Sequence, residues 1–167
     1  MDAQNGVIHA IDRVLQFPSQ TIAQLATANR DLSTLLAALV KTNLAATFTT
    51  EGDFTVFAPT NRAFAKLPAP FNNANNINAI TNQAQIRALA NILTYHVVAA
   101  RNFTPDFGFR TQLTTLAAAP SNKVETIFRF TTSTVKGNNN RNPTITHPED
   151  VLATNGVVHI IGDVLQP

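Results

Sequence analysis

The sequence predicts an α+β fold. Apolar residues recur at helical spacing through the N-terminal half, as in DLSTLLAALVK and IRALANILTYHVV. Beyond Gly108 the period changes to two, and the segments become short, β-branched and Thr-rich, as in TQLTTL, VETIFRF and STVKG. Helices first and strands second argue for an α+β domain. With 167 residues the chain has room for one core of ordinary size.

Taken in order, Ser19 is placed to cap a short helix carrying Ile22, Leu25 and Ala26, and Asp31 to cap a second. In that second helix Leu32, Leu35, Leu36, Leu39 and Val40 form one apolar stripe. FTVFA at 54–58 is too short for a helix and reads as a buried strand that Pro59 stops. Thr60 suits the N-cap of one or two turns carrying Phe64 and Leu67, closed by Pro68 and Pro70. FNNANNIN at 71–78 reads as a loop, because Asn side chains compete for backbone hydrogen bonds. From Thr81 helix returns, with Ile86, Leu89, Ala90, Leu93 and Val97 on one face. Four Thr-rich strands follow, the last being TITH, with Val124, Thr126, Phe128 and Phe130 on one face. Finally, Asn155-Gly156 favours a tight turn with positive φ before the buried strand VVHII.

Composition narrows the function. Charged residues make up 13%, about half of the usual roughly 25%, so Asn, Thr, Gln and Ser carry much of the solvation. A net charge of +2 makes no case for nucleic acid. There is no cysteine, hence no disulfide frame and no thiolate site. Apolar runs fall short of the ~18 residues of a membrane span. Residues 1–4 read as an added start, and any signal peptide is expected to have lain upstream or been removed.

One internal repeat stands out. NGVIHAIDRVLQ at 5–16 returns as NGVVHIIGDVLQ at 155–166, with eight of twelve positions identical and an offset of 150 residues. That offset has the length of a domain rather than of a solenoid repeat. The two copies share propensities and call for the same slot in a sheet.

Three blocks, FTVFAPTNRAFAKLP at 54–68, LANILTYHVV at 89–98 and ATNGVVHIIGDVLQP at 153–167, resemble the signature blocks of the fasciclin domain in order and spacing. The resemblance covers residues 18–167 and implies a wedge in which helices pack on a β-sandwich. Residues 1–17 then look like the terminal strand of a preceding fasciclin repeat, or an extension. It also implies a non-enzymatic adhesion module of a secreted or surface-anchored protein, without a cofactor. Its partners would be a cell-surface receptor, a matrix protein or a polysaccharide. The alternative is a structural spacer in a multidomain surface protein. The twin strands add a strand-swapped homo-oligomer as an expectation.

The resemblance singles out two candidate contacts. Tyr95-His96 resembles the Tyr-His pair to which adhesive activity is attributed in the family; the competing reading packs Tyr95 in the core and has His96 satisfy a buried carbonyl. Asp150, Val151 and Leu152 look like the end of an integrin-recognition segment that precedes ATNG in animal matrix members, although Pro148-Glu149 stands in the reverse of the family's order. The competing reading makes Val151 and Leu152 the start of a buried strand, with Asp150 capping the turn. Asn61 is expected to support the corner after Pro59, and His159 to be a hydrogen-bonded core residue.

A third class, a hydrolase or small-ligand binder, would use His147, Glu149 and Asp150. Adjacent carboxylates point apart, however, and no second His stands at ligand spacing. The sequence has no G-x-S-x-G elbow, phosphate loop or H-E-x-x-H motif, and only six glycines. Asn102-Phe103-Thr104 is a glycosylation sequon of a kind common by chance.

Overall fold

The computed structural model describes residues 2–3, 6–7, 17–49, 52–120, 122–129, 132–139, 143–146 and 150–167. At the N-terminus β1 (Asp2–Ala3) pairs with β2 (Gly6–Val7) in a two-stranded ribbon. The helices α1 (Ile22–Ala28), α2 (Ser33–Lys41), α3 (Asn61–Phe64), α4 (Ala74–Asn78) and α5 (Gln83–Tyr95) are interrupted once, by strand β3 (Phe54–Pro59). Then come β4 (Val97–Val98), β5 (Thr111–Thr114), β6 (Lys123–Arg129), β7 (Thr132–Lys136), β8 (Val151–Ala153) and β9 (Gly156–Ile161). One sheet has the order β4-β3-β9-β8 and the other β5-β6-β7. All pairings are antiparallel except β3 with β9, which run parallel from Phe54↔Gly156 to Pro59↔Ile161. Single bridges Val98↔Thr115, Thr134↔Thr144 and Ile145↔Ile161 tie the sheets together at their edges. The α+β class and the wedge of helices on two sheets are as expected.

Two cores explain why β3 and β9 read as unbroken apolar runs. Val56, Ala58 and Val158 face the helices, where they meet Leu35, Leu39, Phe64, Leu89 and Leu93. Phe57 and Ile161 face the second sheet, where they meet Tyr95, Phe107, Val124 and Val135. A central strand covered on both sides has no polar face to show.

Several local expectations shift. Thr21, not Ser19, caps α1, in a reciprocal capping box with Gln24. Asp31 caps nothing: Asn29 caps a 3-10 turn at Arg30–Leu32, and the Thr34 amide of α2 is satisfied from outside the helix by Asn61 Oδ1 at 2.8 Å. Val40 leaves the apolar stripe, 62% exposed, while Ala38 is fully buried. The Asn-rich stretch is not all loop: Asn73 accepts a bond from the Asn76 amide and starts α4, which is anchored by fully buried Ile77. α5 is capped by Asn82 and ends at Tyr95, so Val97 belongs to β4 rather than to the helix. Of TITH, Thr144 and Ile145 make single bridges, and His147 lies outside the described residues. Val124 and Thr126 are buried as expected, whereas the side-chain placements of Phe128 and Phe130 lie outside what is described.

Candidate functional site

The two candidate contacts do not come together. Tyr95 and His96 sit at the C-terminal end of α5, 0% and 2% exposed. The Tyr95 hydroxyl donates to the Lys123 carbonyl at 2.6 Å and accepts from the Asn138 amide at 3.1 Å, which pins α5 to the second sheet. Burial raises the Tyr95 pKa, tempered by the Asn138 amide. The His96 ring spans two backbone groups, with Nδ1 at 2.7 Å from the Ile92 carbonyl and Nε2 accepting from the Leu165 amide at 2.8 Å. Those partners assign the proton to Nδ1 and leave the ring neutral. Burial lowers the His96 pKa to about 4, against a smaller opposing effect of the Ile92 carbonyl.

Asp150 lies at the entry to β8, with φ +53, a region that Asp tolerates better than most residues. Its carboxylate turns inward. Oδ1 accepts from the Thr104 amide at 2.8 Å and Oδ2 from the Thr104 hydroxyl at 2.6 Å, so residue 150 is latched to the loop after β4. Behind it lies His159, 0% exposed, its ring centroid 5.5 Å from that of Phe57 and 5.3 Å from that of Phe107. His159 Nε2 lies 3.0 Å from the Asn102 carbonyl, an acceptor, which places a proton on Nε2. Nδ1 lies 3.6 Å from Asp150 Oδ1, too long for a hydrogen bond. After Asp150 the chain enters β8, where Val151 packs on the helical core and Leu152 stays 46% exposed.

The sequence reading missed Thr104 and Asn102, although it noted both as a sequon. Thr55 Oγ1 accepts from the Asn102 amide at 2.9 Å and donates to the Ala100 carbonyl at 2.7 Å. The loop after β4 is thereby fixed to β3 before Asp150 is latched to it. Beside it Arg101 pairs with Asp53 at 3.0 Å and donates to the Thr154 carbonyl. Asn61 and Asn155 are further clamps. Asn61 donates to the Arg30 carbonyl at 2.9 Å, and the 2% exposed Asn155 bridges the Ile22 amide and the Phe48 carbonyl, both at 2.9 Å.

Chemically the cluster holds loops and offers no activated nucleophile. The Thr104 hydroxyl donates to a carboxylate rather than to an imidazole, and the His159 nitrogen that carries the proton is spent on a backbone carbonyl. His147 and Glu149 of the hydrolase reading lie outside the described residues. Among the described residues no group of three His, Cys, Asp or Glu side chains could hold a metal ion, and no helix is long and apolar enough to cross a membrane.

The family model of the fasciclin domain matches residues 30–167. The chain belongs to the fasciclin-domain family. It is 35% identical over 162 residues to transforming growth factor-beta-induced protein ig-h3 of Sus scrofa, covering 97% of this chain and 21% of that protein. Protein sll1735 of Synechocystis is 34% identical over 145 residues, 86% of this chain and 96% of that one. The fold matches a solved FAS1 domain pair from the insect cell adhesion molecule Fasciclin I, with a TM-score of 0.72 and 17% identity over all of this chain and 57% of that one. This fasciclin chain thus spans about a fifth of the length of its mammalian relative.

Proposed function

We propose that this fasciclin domain is a non-enzymatic adhesion module of an extracellular or surface-anchored protein, and that its contact is the corner formed by Asp150, Val151 and Leu152. Family membership supports the adhesive reading, and a solved structure of the same fold comes from a cell adhesion molecule. The observation that carries the site is an exposed aliphatic side chain, Leu152, on a corner fixed by the inward bonds of Asp150. A preorganised apolar residue binds a receptor, matrix protein or polysaccharide without first losing loop entropy. Tyr95 and His96 contribute from the core, by fixing α5 to the second sheet and to the C-terminal segment. In this reading residues 18–167 are the domain, which contains the matched stretch 30–167.

The test is adhesion of cells and of surface glycans to the immobilised chain, beside Leu152→Ser with its fold checked by circular dichroism. Since an exposed Leu supports no core, the variant folds, and adhesion falls about tenfold or more if Leu152 is a central contact. Undiminished adhesion of the folded variant moves the contact elsewhere. No adhesion by either protein favours the spacer reading.

A further inference from the structure

We propose that the seat of β9, between β3 and β8, is a self-association site that takes residues 5–16 of a second copy of this chain in place of residues 155–166. The seat makes specific demands, and the N-terminal copy meets them position by position. At 156 a Cβ would lie 2.1 Å from the Phe54 carbonyl oxygen, so only glycine fits, and the copy supplies Gly6. At 155 the buried amide that bridges Ile22 and Phe48 is matched by Asn5. The imidazole facing the Asn102 carbonyl is matched by His9, fully buried Val157 and Ile161 by Val7 and Ile11, and Leu165 by Leu15.

Only four positions differ, and three are accommodated. Val158 lines an apolar cavity of about 20 Å³ among Ile22, Leu35, Phe48 and Val97, which gives room to the extra methylene of Ile8. Ile160 is half-buried, so Ala10 forfeits little there. Gly162 has no atom within 4 Å of where a Cβ would stand, so Asp12 fits. At the fourth position Asp163 pairs with Lys66, and Arg13 would bring a like charge to the same ammonium. The two segments are identical at eight of twelve positions, so the apolar burial that either would gain in the seat is nearly the same. What favours the chain's own strand is its short tether through Thr154 and Asn155 and the charge of Lys66.

Lys66 therefore acts as the gate, and both it and Asp163 are about half exposed. Reversing it removes the attraction for β9 and creates one for Arg13, an exposed-pair effect of about tenfold in the exchange equilibrium. The test concentrates the full chain, warms it to the onset of unfolding, cools it and measures mass by size-exclusion chromatography with light scattering. Lys66→Glu is expected to raise the dimer fraction about tenfold over the wild-type chain. Adding Gly6→Val, a residue of the N-terminal ribbon whose side chain could not pass the Phe54 carbonyl in the seat, is expected to restore the wild-type level. Monomers in every sample, or dimers that survive Gly6→Val, would overturn the proposal.

Discussion

Asp150 offers the sharpest test of whether the corner is held from inside or exposed as a contact. In Asp150→Ala the Thr104 amide loses its acceptor, and Thr104 is only 5% exposed, so water replaces the carboxylate poorly. An orphaned buried amide costs about 1–3 kcal/mol and the lost hydroxyl bond about 1 kcal/mol more. Alanine at φ +53 adds about 1 kcal/mol. Since the Asp150 side chain is 27% exposed, solvent recovers part of this, and the expected loss is about 2–4 kcal/mol. Asp150→Gly relieves the backbone but not the lost bonds, so it falls about 1 kcal/mol short of the alanine cost. Asp150→Asn keeps an acceptor and the tolerance of positive φ, and should cost about 1 kcal/mol. Equilibrium urea unfolding with a common m-value gives the order wild type, Asn, Gly, Ala. Alanine within about 0.5 kcal/mol of wild type refutes the latch, and alanine more stable than glycine refutes the backbone cost at φ +53. The same proteins then separate two roles in adhesion: as a latch Asp150 tolerates Asn, whereas a carboxylate that touches a partner's cation does not.

The remaining predictions concern the core. His96 has a folded pKa of about 4, below its ordinary 6.5, so between these values the unfolded chain binds the extra proton. Stability from this group is therefore complete above about pH 6.5 and is lost as the pH falls toward 4, by an order of about 3 kcal/mol. Urea midpoints at several pH values should show that slope in the wild-type chain and lack it in His96→Gln; equal slopes would place the titration elsewhere. Gly156→Ala should lose more than about 3 kcal/mol or fail to fold, because its Cβ meets the Phe54 carbonyl at 2.1 Å. Gly162→Ala, with open space around it, should stay within about 0.5 kcal/mol; similar thermal shifts in the two would show that contact at 156 is not the cause.

What the sequence disclosed was what local pattern encodes. β3 and β9 were legible as apolar runs because both their faces are covered, and Thr60 was legible as a cap because its acceptor role lies three residues ahead, at Ala63. The Asn-rich stretch was ambiguous because Asn serves loops and caps alike; what decides for α4 is Ile77 in a core shared with α2, a tertiary fact. The candidate site was the least legible part. Asp150 meets Thr104 across 46 positions, and Asn155 meets Ile22 and Phe48 across 133 and 107. No periodicity carries such pairs.

The low charge content takes on a different meaning in this light. The composition assigned Asn and Thr to solvation, yet Thr55, Thr126 and Asn155 are among the most buried residues of the fold, at 0%, 0% and 2% exposure. A neutral amide or hydroxyl is cheaper to bury than a charge, and an amide both donates and accepts, so one side chain satisfies two backbone groups. Asn61 and Asn155 each join segments that no strand pairing connects. The corner at Asp150 is fixed in a related way, by the buried Thr104 amide and hydroxyl and behind them by the Asn102 amide on Thr55, so its shape does not rest on an exposed ion pair. The prediction is that salt leaves its stability nearly unchanged while still modulating contact with a charged partner, since screening acts on exposed charges and hardly on buried amide bonds.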